Sequence, residues 1–170
     1  MPIFYSYYDS PLGRLILGSY GDTLCLCDWQ FRHRRAKIDA RLEGLLGTTM
    51  INRSCNLHDM AREQLHDYFL KKREQFQLPL LFAGSDFQKR VWNALTEIPY
   101  GSTTTYANLS QAIGNPKATR AVASANGANA LSLFIPCHRV IGSDGRLVGY
   151  AGGLSVKQYL LNLEREDLLL

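Results

Sequence analysis

The sequence predicts an α+β protein of two domains, an antiparallel sheet with helices over residues 1–80 and a mostly helical domain over residues 81–170. Three observations predict this class. Short β-prone runs separated by turn residues fill the start of the chain, the Pro-marked segment LPLLFAGSD follows near residue 80, and apolar residues at helical spacing dominate the remainder. With 170 residues, 46% hydrophobic and 20% charged, the chain is long enough to bury real cores.

The first 29 residues predict antiparallel hairpins. Two apolar runs flank DSPLG and SYGDT, which contain the residues that tight turns require. The segment LCLCDW alternates, so Cys25 and Cys27 are expected on one face of a strand and Leu24 and Leu26 on the other. Because no full ligand set follows at zinc-like spacing, we predict that the two thiols are core residues and that the protein has no structural metal.

Two helices are predicted next, over residues 32–46 and 57–73. In the second, LHDMAREQLHDYFLKKREQ, apolar residues recur at helical spacing among charges. His58 and His66 are eight residues apart, two helical turns rather than one. They are therefore expected to be packing or solvent-exposed histidines and not a pair of ligands.

Composition and charge limit the function classes. The formal net charge is +4, and residues 87–157 contain seven Lys or Arg against two acids, which makes this window basic. The N-terminus lacks the pattern of a signal peptide and no long apolar run occurs, so a cytoplasmic location without membrane contact is expected. Four cysteines are too few for a disulfide scaffold, and no dinucleotide or Walker-type loop predicts a cofactor.

The segment SDFQKRVWNALTEI predicts a core helix at the start of the second domain. Ser85 or Asp86 is a suitable N-cap, and Val91 and Leu95 follow on one face. Further along, residues 103–127 predict helix, Gly-containing turn and helix, the pattern of a helix-turn-helix. Its second helix is rich in small residues, which favours either close approach to DNA or tight packing on a neighbouring helix.

The segment IPCHRVIGSDGRLVGYAGG, residues 135–153, places a cysteine and a histidine after a proline. Pro136 favours a sharp turn, and a turn allows Cys137 and His138 to face one pocket, where the imidazole can take the thiol proton. A carboxylate should orient that imidazole, and spacing alone does not choose among the four candidates. These are Asp144, Glu164, Glu166 and Asp167. The alternative is that Cys137 is a small core residue.

Read together, these motifs resemble the O6-alkylguanine-DNA alkyltransferases, also called methylated-DNA–protein-cysteine methyltransferases. The matching segments are IPCHRVIG, GYAGG and KQYLLNLE, with FQKRVWNAL, IPYGSTTTYANLSQAIGNPKATRAV and ANGAN upstream, so the similarity covers nearly all of residues 86–164. DSPLG is similar to the family's N-terminal domain. The resemblance implies a ribonuclease-H-like N-terminal domain and a winged-helix-like DNA-binding domain.

The resemblance also implies a reaction: irreversible transfer of an alkyl group from O6 of guanine in duplex DNA to Cys137, with O4 of thymine as a candidate second lesion. His138 would take the thiol proton through a water, and Glu164 would orient the imidazole. Asn129 would brace the turn, and Tyr106 would assist the departing base. One molecule would repair one lesion, without a cofactor.

The same resemblance implies how a monomer of this protein binds DNA. The nucleotide would be flipped from the duplex, with Arg120 filling the gap and small residues of the second helix entering the minor groove. The remaining implied contacts to base or DNA are Thr119, Ala121, Val140, Tyr150 and Ala151. Ala151 and Ala130 replace a serine and a proline common in the family, and the second change predicts a softer pocket wall that admits larger alkyl groups.

Two other functions are weighed. Alkyltransferase-like proteins bind lesions without transfer but lack the acceptor cysteine, which this sequence has at position 137. A Cys-His hydrolase would need an oxyanion hole, for which nothing in the sequence argues.

Overall fold

The computed structural model of the protein describes residues 1–165. The chain divides into two compact units, Met1–Gly84 and Ser85–Leu170. The first contains a four-stranded sheet and the second is mostly helical, so the predicted α+β class is confirmed. Two of the candidate carboxylates, Glu166 and Asp167, lie outside the described residues.

The sheet of the first unit has the strand order β3-β2-β1-β4. The strands are β1 (Ile3–Ser10), β2 (Gly13–Tyr20), β3 (Thr23–Trp29) and β4 (Met50–Asn52). The predicted hairpins are confirmed, because β1 with β2 and β2 with β3 pair antiparallel. Ser10 Oγ closes the DSPLG turn by donating to the Gly13 carbonyl at 2.6 Å. The short β4, which the sequence did not predict, pairs parallel with β1.

Two helices complete the first unit, α1 (Arg35–Leu46) and α2 (Asn56–Phe69). Both are shorter than predicted. The first begins later because residues 30–34 form turns, in which Arg32 reaches back to the buried Asp28 at 3.0 Å. The second ends at Phe69 because Lys71 adopts a left-handed φ of 60° that a helix does not continue.

Two cysteines and one histidine of this unit are buried, and a second histidine is exposed. Cys25 and Cys27 are 1% and 0% exposed, so both are core residues as predicted. His58 is also fully buried, and its Nδ1 lies 2.7 Å from Ser6 Oγ, whereas His66 is exposed. His58 is thus a packing histidine.

The second unit begins with α3 (Asp86–Thr96). Of the two predicted N-cap candidates, Ser85 caps the helix and Asp86 is its first residue. Ser85 forms a capping box in which its side chain accepts from the Gln88 amide and the Gln88 side chain accepts from the Ser85 amide. Val91, Trp92 and Leu95 are buried. The remaining elements are β5 (Thr104–Thr105), α4 (Tyr106–Ala112), α5 (Thr119–Gly127), β6 (Val140–Ile141) and α6 (Leu154–Leu163).

Helices α4 and α5 form the predicted helix-turn-helix. Thr105 caps α4 by accepting from the Asn108 amide, and Gly114 turns the chain between the helices with a φ of 79°. Val122 and Ala125 bury one face of α5, and the Ala125 carbonyl accepts from the Trp92 indole at 2.8 Å. The opposite face of α5 is exposed and carries mainly small side chains.

Candidate active site

The segment after α5 turns sharply, as Pro136 predicts. Residues Cys137–Arg139 form a single 3-10 turn, in which the Arg139 amide donates to the Pro136 carbonyl at 3.1 Å. The chain then enters β6, which pairs with β5, and the Val140 amide donates to the Cys137 carbonyl. Cys137 and His138 are therefore both held on a short turn instead of on opposite faces of a strand.

The thiol of Cys137 is buried and bound by an amide. Only 3% of the residue is exposed. Asn129 Nδ2 donates to Cys137 Sγ at 3.2 Å and to the Ile135 carbonyl at 3.1 Å, while its Oδ1 accepts from the Leu131 amide. Asn129 thus connects both ends of the turn and fixes the position of the sulfur.

His138 and Arg139 share one carboxylate, that of Glu164 at the C-terminal end of α6. His138 Nε2 lies 2.7 Å from Glu164 Oε2. Arg139 donates from Nε to Oε1 at 2.8 Å and from Nη2 to Oε2 at 3.0 Å, a bidentate pair. The structure thus brings Glu164, one of the four candidate carboxylates, to the imidazole.

The charges of this buried group have a clear physical basis. Burial alone would raise the pKa of Glu164, but hydrogen bonds and positive charge from His138 and Arg139 hold it well below its usual range. Glu164 is therefore ionised. Burial lowers the pKa of His138, which favours the neutral imidazole.

A neutral His138 that faces an ionised carboxylate donates from Nε2, so its Nδ1 is the basic nitrogen. Nδ1 is buried, and among the described residues it has no hydrogen-bond partner. With Nε2 protonated and directed at Glu164, Nδ1 is the nitrogen of the His138 ring that can accept a proton.

Backbone groups around residues 98–101 complete the setting of Glu164. Arg139 Nη1 donates to the Ile98 carbonyl at 2.7 Å, and the Gly101 amide donates to Glu164 Oε1 at 3.3 Å. Gly101 has a φ of 78°, and a Cβ here would lie 3.0 Å from the Glu164 carbonyl. A glycine is required at this close approach.

A second set of predicted site residues lies on the loop after β6 and on α4. The Tyr106 hydroxyl donates to the Val148 carbonyl at 2.9 Å, and burial raises its pKa. The Tyr150 ring stands edge-on to the His138 ring, with centroids 6.4 Å apart. Ala151 is half-buried beside Tyr150 in the chain.

The residues predicted to contact DNA lie on α5. Arg120 and Ala121 are exposed on α5, and Thr119, at its first position, accepts a hydrogen bond from Ser110 Oγ at 3.4 Å. They belong to the outer face of the helix-turn-helix and not to the buried group around Cys137.

Sequence reasoning missed Lys157. This residue of α6 is fully buried, and its Nζ donates to the Gly149 carbonyl at 3.1 Å and to the Val148 carbonyl at 3.4 Å. The indication was present in the sequence, since Lys157 precedes Leu160 and Leu161 by three and four residues and so falls on the apolar face of the helix.

Among residues 1–165, no group of three or more His, Cys, Asp or Glu side chains could hold a metal ion. Over the same residues, no helix combines the length and the apolar character that crossing a bilayer requires.

Two family models match the chain. Residues 3–82 match the ribonuclease-like domain of 6-O-methylguanine DNA methyltransferase, and residues 86–166 match its DNA binding domain.

Individual relatives match over almost their full length. A methylated-DNA–protein-cysteine methyltransferase of Methanosarcina barkeri is 43% identical over 166 residues, which are 98% of this chain and 99% of the relative. The constitutive enzyme of the same name from Bacillus subtilis is 40% identical over 163 residues, 95% of each chain. Among solved structures, the Mycobacterium tuberculosis protein OGT in complex with DNA superposes with a TM-score of 0.81 at 38% identity, covering 97% of both chains.

Proposed function

Because this chain belongs to the 6-O-methylguanine DNA methyltransferase family, we propose that it repairs alkylated duplex DNA by moving an alkyl group from O6 of guanine to Cys137. The observation that carries the proposal is the buried Cys137 sulfur, held at 3.2 Å by Asn129 on the same turn as the His138–Glu164 pair. This arrangement supplies a nucleophile, a base and a group that orients the base.

The reaction is a nucleophilic displacement at the alkyl carbon, with guanine as the leaving group. His138 Nδ1 takes the thiol proton through a water molecule, and the Cys137 thiolate attacks the alkyl carbon. The S–C bond forms as the O6–C bond breaks, and the electron pair of the broken bond passes to the guanine, which regains a proton. Since a thioether is a poor leaving group, the protein acts once and is not regenerated.

Residues around the turn are proposed to bind the flipped base. Tyr106 donates a hydrogen bond or proton to the departing guanine, for which its hydroxyl must leave the Val148 carbonyl. The carbonyls of Cys137 and Val140 accept from the exocyclic amine, and the amides near Tyr150 and Ala151 meet O6. A base inside a duplex is out of reach of a buried sulfur, so flipping is required.

The exposed face of α5 is proposed to contact the minor groove. Thr119 and Ala121 face the DNA, and Arg120 occupies the space that the flipped base leaves. We assign these steps to residues 81–170, with the active-site loop at 135–153, and we place the protein in the cytoplasm as a monomer that needs no cofactor.

Mass spectrometry tests the proposal. After incubation with a duplex that contains one O6-methylguanine, the peptide with Cys137 should gain one methyl group in stoichiometric yield, and the Cys137→Ser variant should gain none. Cys55→Ser is the matched control, because Cys55 is the half-buried free thiol of the first unit and should be irrelevant. A protein that binds the lesion but stays unmodified would instead be a recruitment module.

A further inference from the structure

His58 is a fully buried titratable residue of the first unit that the proposed function does not use. It lies in the first turn of α2, the helix that packs on β1 and β2. Its Nδ1 lies 2.7 Å from Ser6 Oγ on β1. Its Nε2 is also buried, and among residues 1–165 it has no hydrogen-bond partner. Since buried polar atoms are nearly always paired, this nitrogen requires an explanation.

A cation shares the hydroxyl group that His58 contacts. Arg62, one turn further along α2, donates from Nη2 to Ser6 Oγ at 2.6 Å and from Nε to the Tyr7 carbonyl at 3.0 Å. The Ser6 hydroxyl therefore links a guanidinium group to the imidazole. These hydrogen bonds attach the start of α2 to β1.

The other groups around His58 do not supply a balancing charge. On α2, the carboxylate of Asp59 favours protonation of His58, but it is 69% exposed and pairs with Arg62 at 2.8 Å. On β1, the Phe4 carbonyl also favours protonation but makes no hydrogen bond with Nε2.

Strand β2 also packs on α2 and brings no charge to His58. Its one charged residue, Arg14, is paired with Asp9 at 2.7 Å on the exposed side of the hairpin. Its buried polar residue is Ser19, whose hydroxyl lies 3.4 Å from the Cys55 thiol.

Protonation of His58 is therefore unfavourable while α2 is packed on the sheet. Both ring nitrogens of an imidazolium carry a hydrogen. The hydrogen on Nδ1 would point at Ser6 Oγ, which already accepts from Arg62, and the hydrogen on Nε2 would have no acceptor among the described residues. A second positive charge would also be buried beside the first, without water to screen it.

We propose that His58 is an acid-sensitive switch, which holds α2 on the sheet while the imidazole is neutral and releases the helix when the imidazole is protonated. The two states are α2 packed on β1 and β2, and α2 detached with His58 in water. The inference goes beyond the proposed function and does not depend on it, because it concerns the first unit alone.

The pKa of His58 agrees with this account. Burial, followed by the charge of Arg62, lowers the pKa of His58 from 6.5 to about 4. In a detached helix the imidazole is hydrated and should return to its ordinary pKa of about 6.5. Because the packed state has the lower pKa, the contribution of His58 to stability is present above about pH 6.5 and is lost as the pH falls to about 4.

Hydrogen exchange with mass spectrometry tests the switch, once rates are corrected for the intrinsic pH dependence of exchange. In the wild type, the opening equilibrium of α2 should rise between about pH 6.5 and about pH 4, approaching tenfold per pH unit. In His58→Asn, the amide can take the place of Nδ1 but does not titrate, so this rise should disappear. His66→Asn is the matched control, because His66 is exposed on the same helix and should leave the rise unchanged.

The same pH dependence of α2 opening in the wild type and in His58→Asn would overturn the proposal. A rise that His66→Asn also abolishes would overturn it too, because the response would then not be specific to the buried histidine. The measurement uses no DNA. A protein that opens as expected but accepts no methyl group from DNA therefore refutes the proposed function and not the switch.

A second measurement needs no variant and is decisive if His58→Asn does not fold. In the wild-type protein with nitrogen-15-labelled histidine, the ring resonances of His58 should report a neutral imidazole for as long as the amide resonances of α2 show a packed helix. A His58 ring that becomes charged near pH 6.5, on a helix that stays packed, would show that the site tolerates the imidazolium, and the proposal would be wrong.

Discussion

Arg139 joins three parts of the second unit through one guanidinium group. It binds both oxygens of Glu164, donates to the Ile98 carbonyl at 2.7 Å, and lies 5.7 Å from the centre of the Tyr100 ring. These contacts require a planar donor with several N–H groups, a geometry that lysine does not have. Arg139 is thus a structural residue. It fixes the carboxylate of Glu164, which in turn orients the imidazole of His138.

This role predicts that Arg139→Lys lowers the free energy of unfolding by about 1–3 kcal/mol, since the charge remains but buried hydrogen bonds are lost. Urea denaturation measures the change. The control is Arg146→Lys, because Arg146 pairs with Asp144 at 3.3 Å on side chains that are 84% and 60% exposed. Exposed pairs contribute little, so the control should differ from the wild type by less than about 0.5 kcal/mol. Equal losses in both variants would contradict the account of Arg139.

For individual residues, the sequence predicted local backbone conformation better than it predicted which side chains pair. Pro136 before Cys137 predicts a turn from local chemistry, and the turn is present. The pairing of His138 with Glu164 spans 26 residues, and no local pattern separates Glu164 from the other candidate carboxylates. The family resemblance made that choice, because partners distant in the sequence are set by tertiary packing.

At the scale of elements, α5 combines a packed face and an exposed one. Val122 and Ala125 are buried, whereas Ala121, Ala123 and Ser124 are exposed and short. The buried face fits the packing alternative that the sequence left open, and close approach to DNA remains a prediction for the exposed face. Short exposed side chains allow the helix backbone to approach a groove about 6 Å wide.

A larger side chain on that face should weaken binding. We expect Ala121→Leu to raise the Kd for a duplex with O6-methylguanine about tenfold or more, because leucine prevents close approach. The matched control is Ala40→Leu, also an exposed alanine in a helix, on α1 of the first unit. Fluorescence anisotropy measures both. If Ala121→Leu binds as the wild type does, α5 is not the element that enters the groove.

The ends of elements were the least predictable part of the fold. The N-cap of α3 could be predicted to within one residue, as Ser85 or Asp86, because its hydrogen bonds involve only residues 85 and 88. The end of α2 could not, because Lys71 takes a left-handed conformation without a glycine to indicate it. The strand β4 has three residues, too few for an alternating pattern, and it exists by pairing with β1.

For the whole molecule, the structure divides the basic window of residues 87–157 into surface and interior. Arg139 and Lys157 are buried, so two of its seven cations cannot meet phosphates without rearrangement. The five that remain on the surface are Lys89, Arg90, Lys117, Arg120 and Arg146. The excess of exposed Lys and Arg over the two acidic residues of this window is therefore smaller than the count of seven in the sequence suggests.

The salt dependence of DNA binding follows from this division. Each phosphate that a Lys or Arg neutralises contributes about 0.9 to the slope of log K against log salt concentration, so the five exposed cations of this window contribute at most about 4.5 to the slope. In Lys117→Gln, an exposed position just before α5, the slope should fall by about 0.9, and binding should weaken equally for methylated and unmodified duplexes. Lys72→Gln, an exposed position in the first unit, should leave the slope unchanged. If Lys117→Gln weakens binding only to the methylated duplex, Lys117 acts in lesion recognition and not as a phosphate contact.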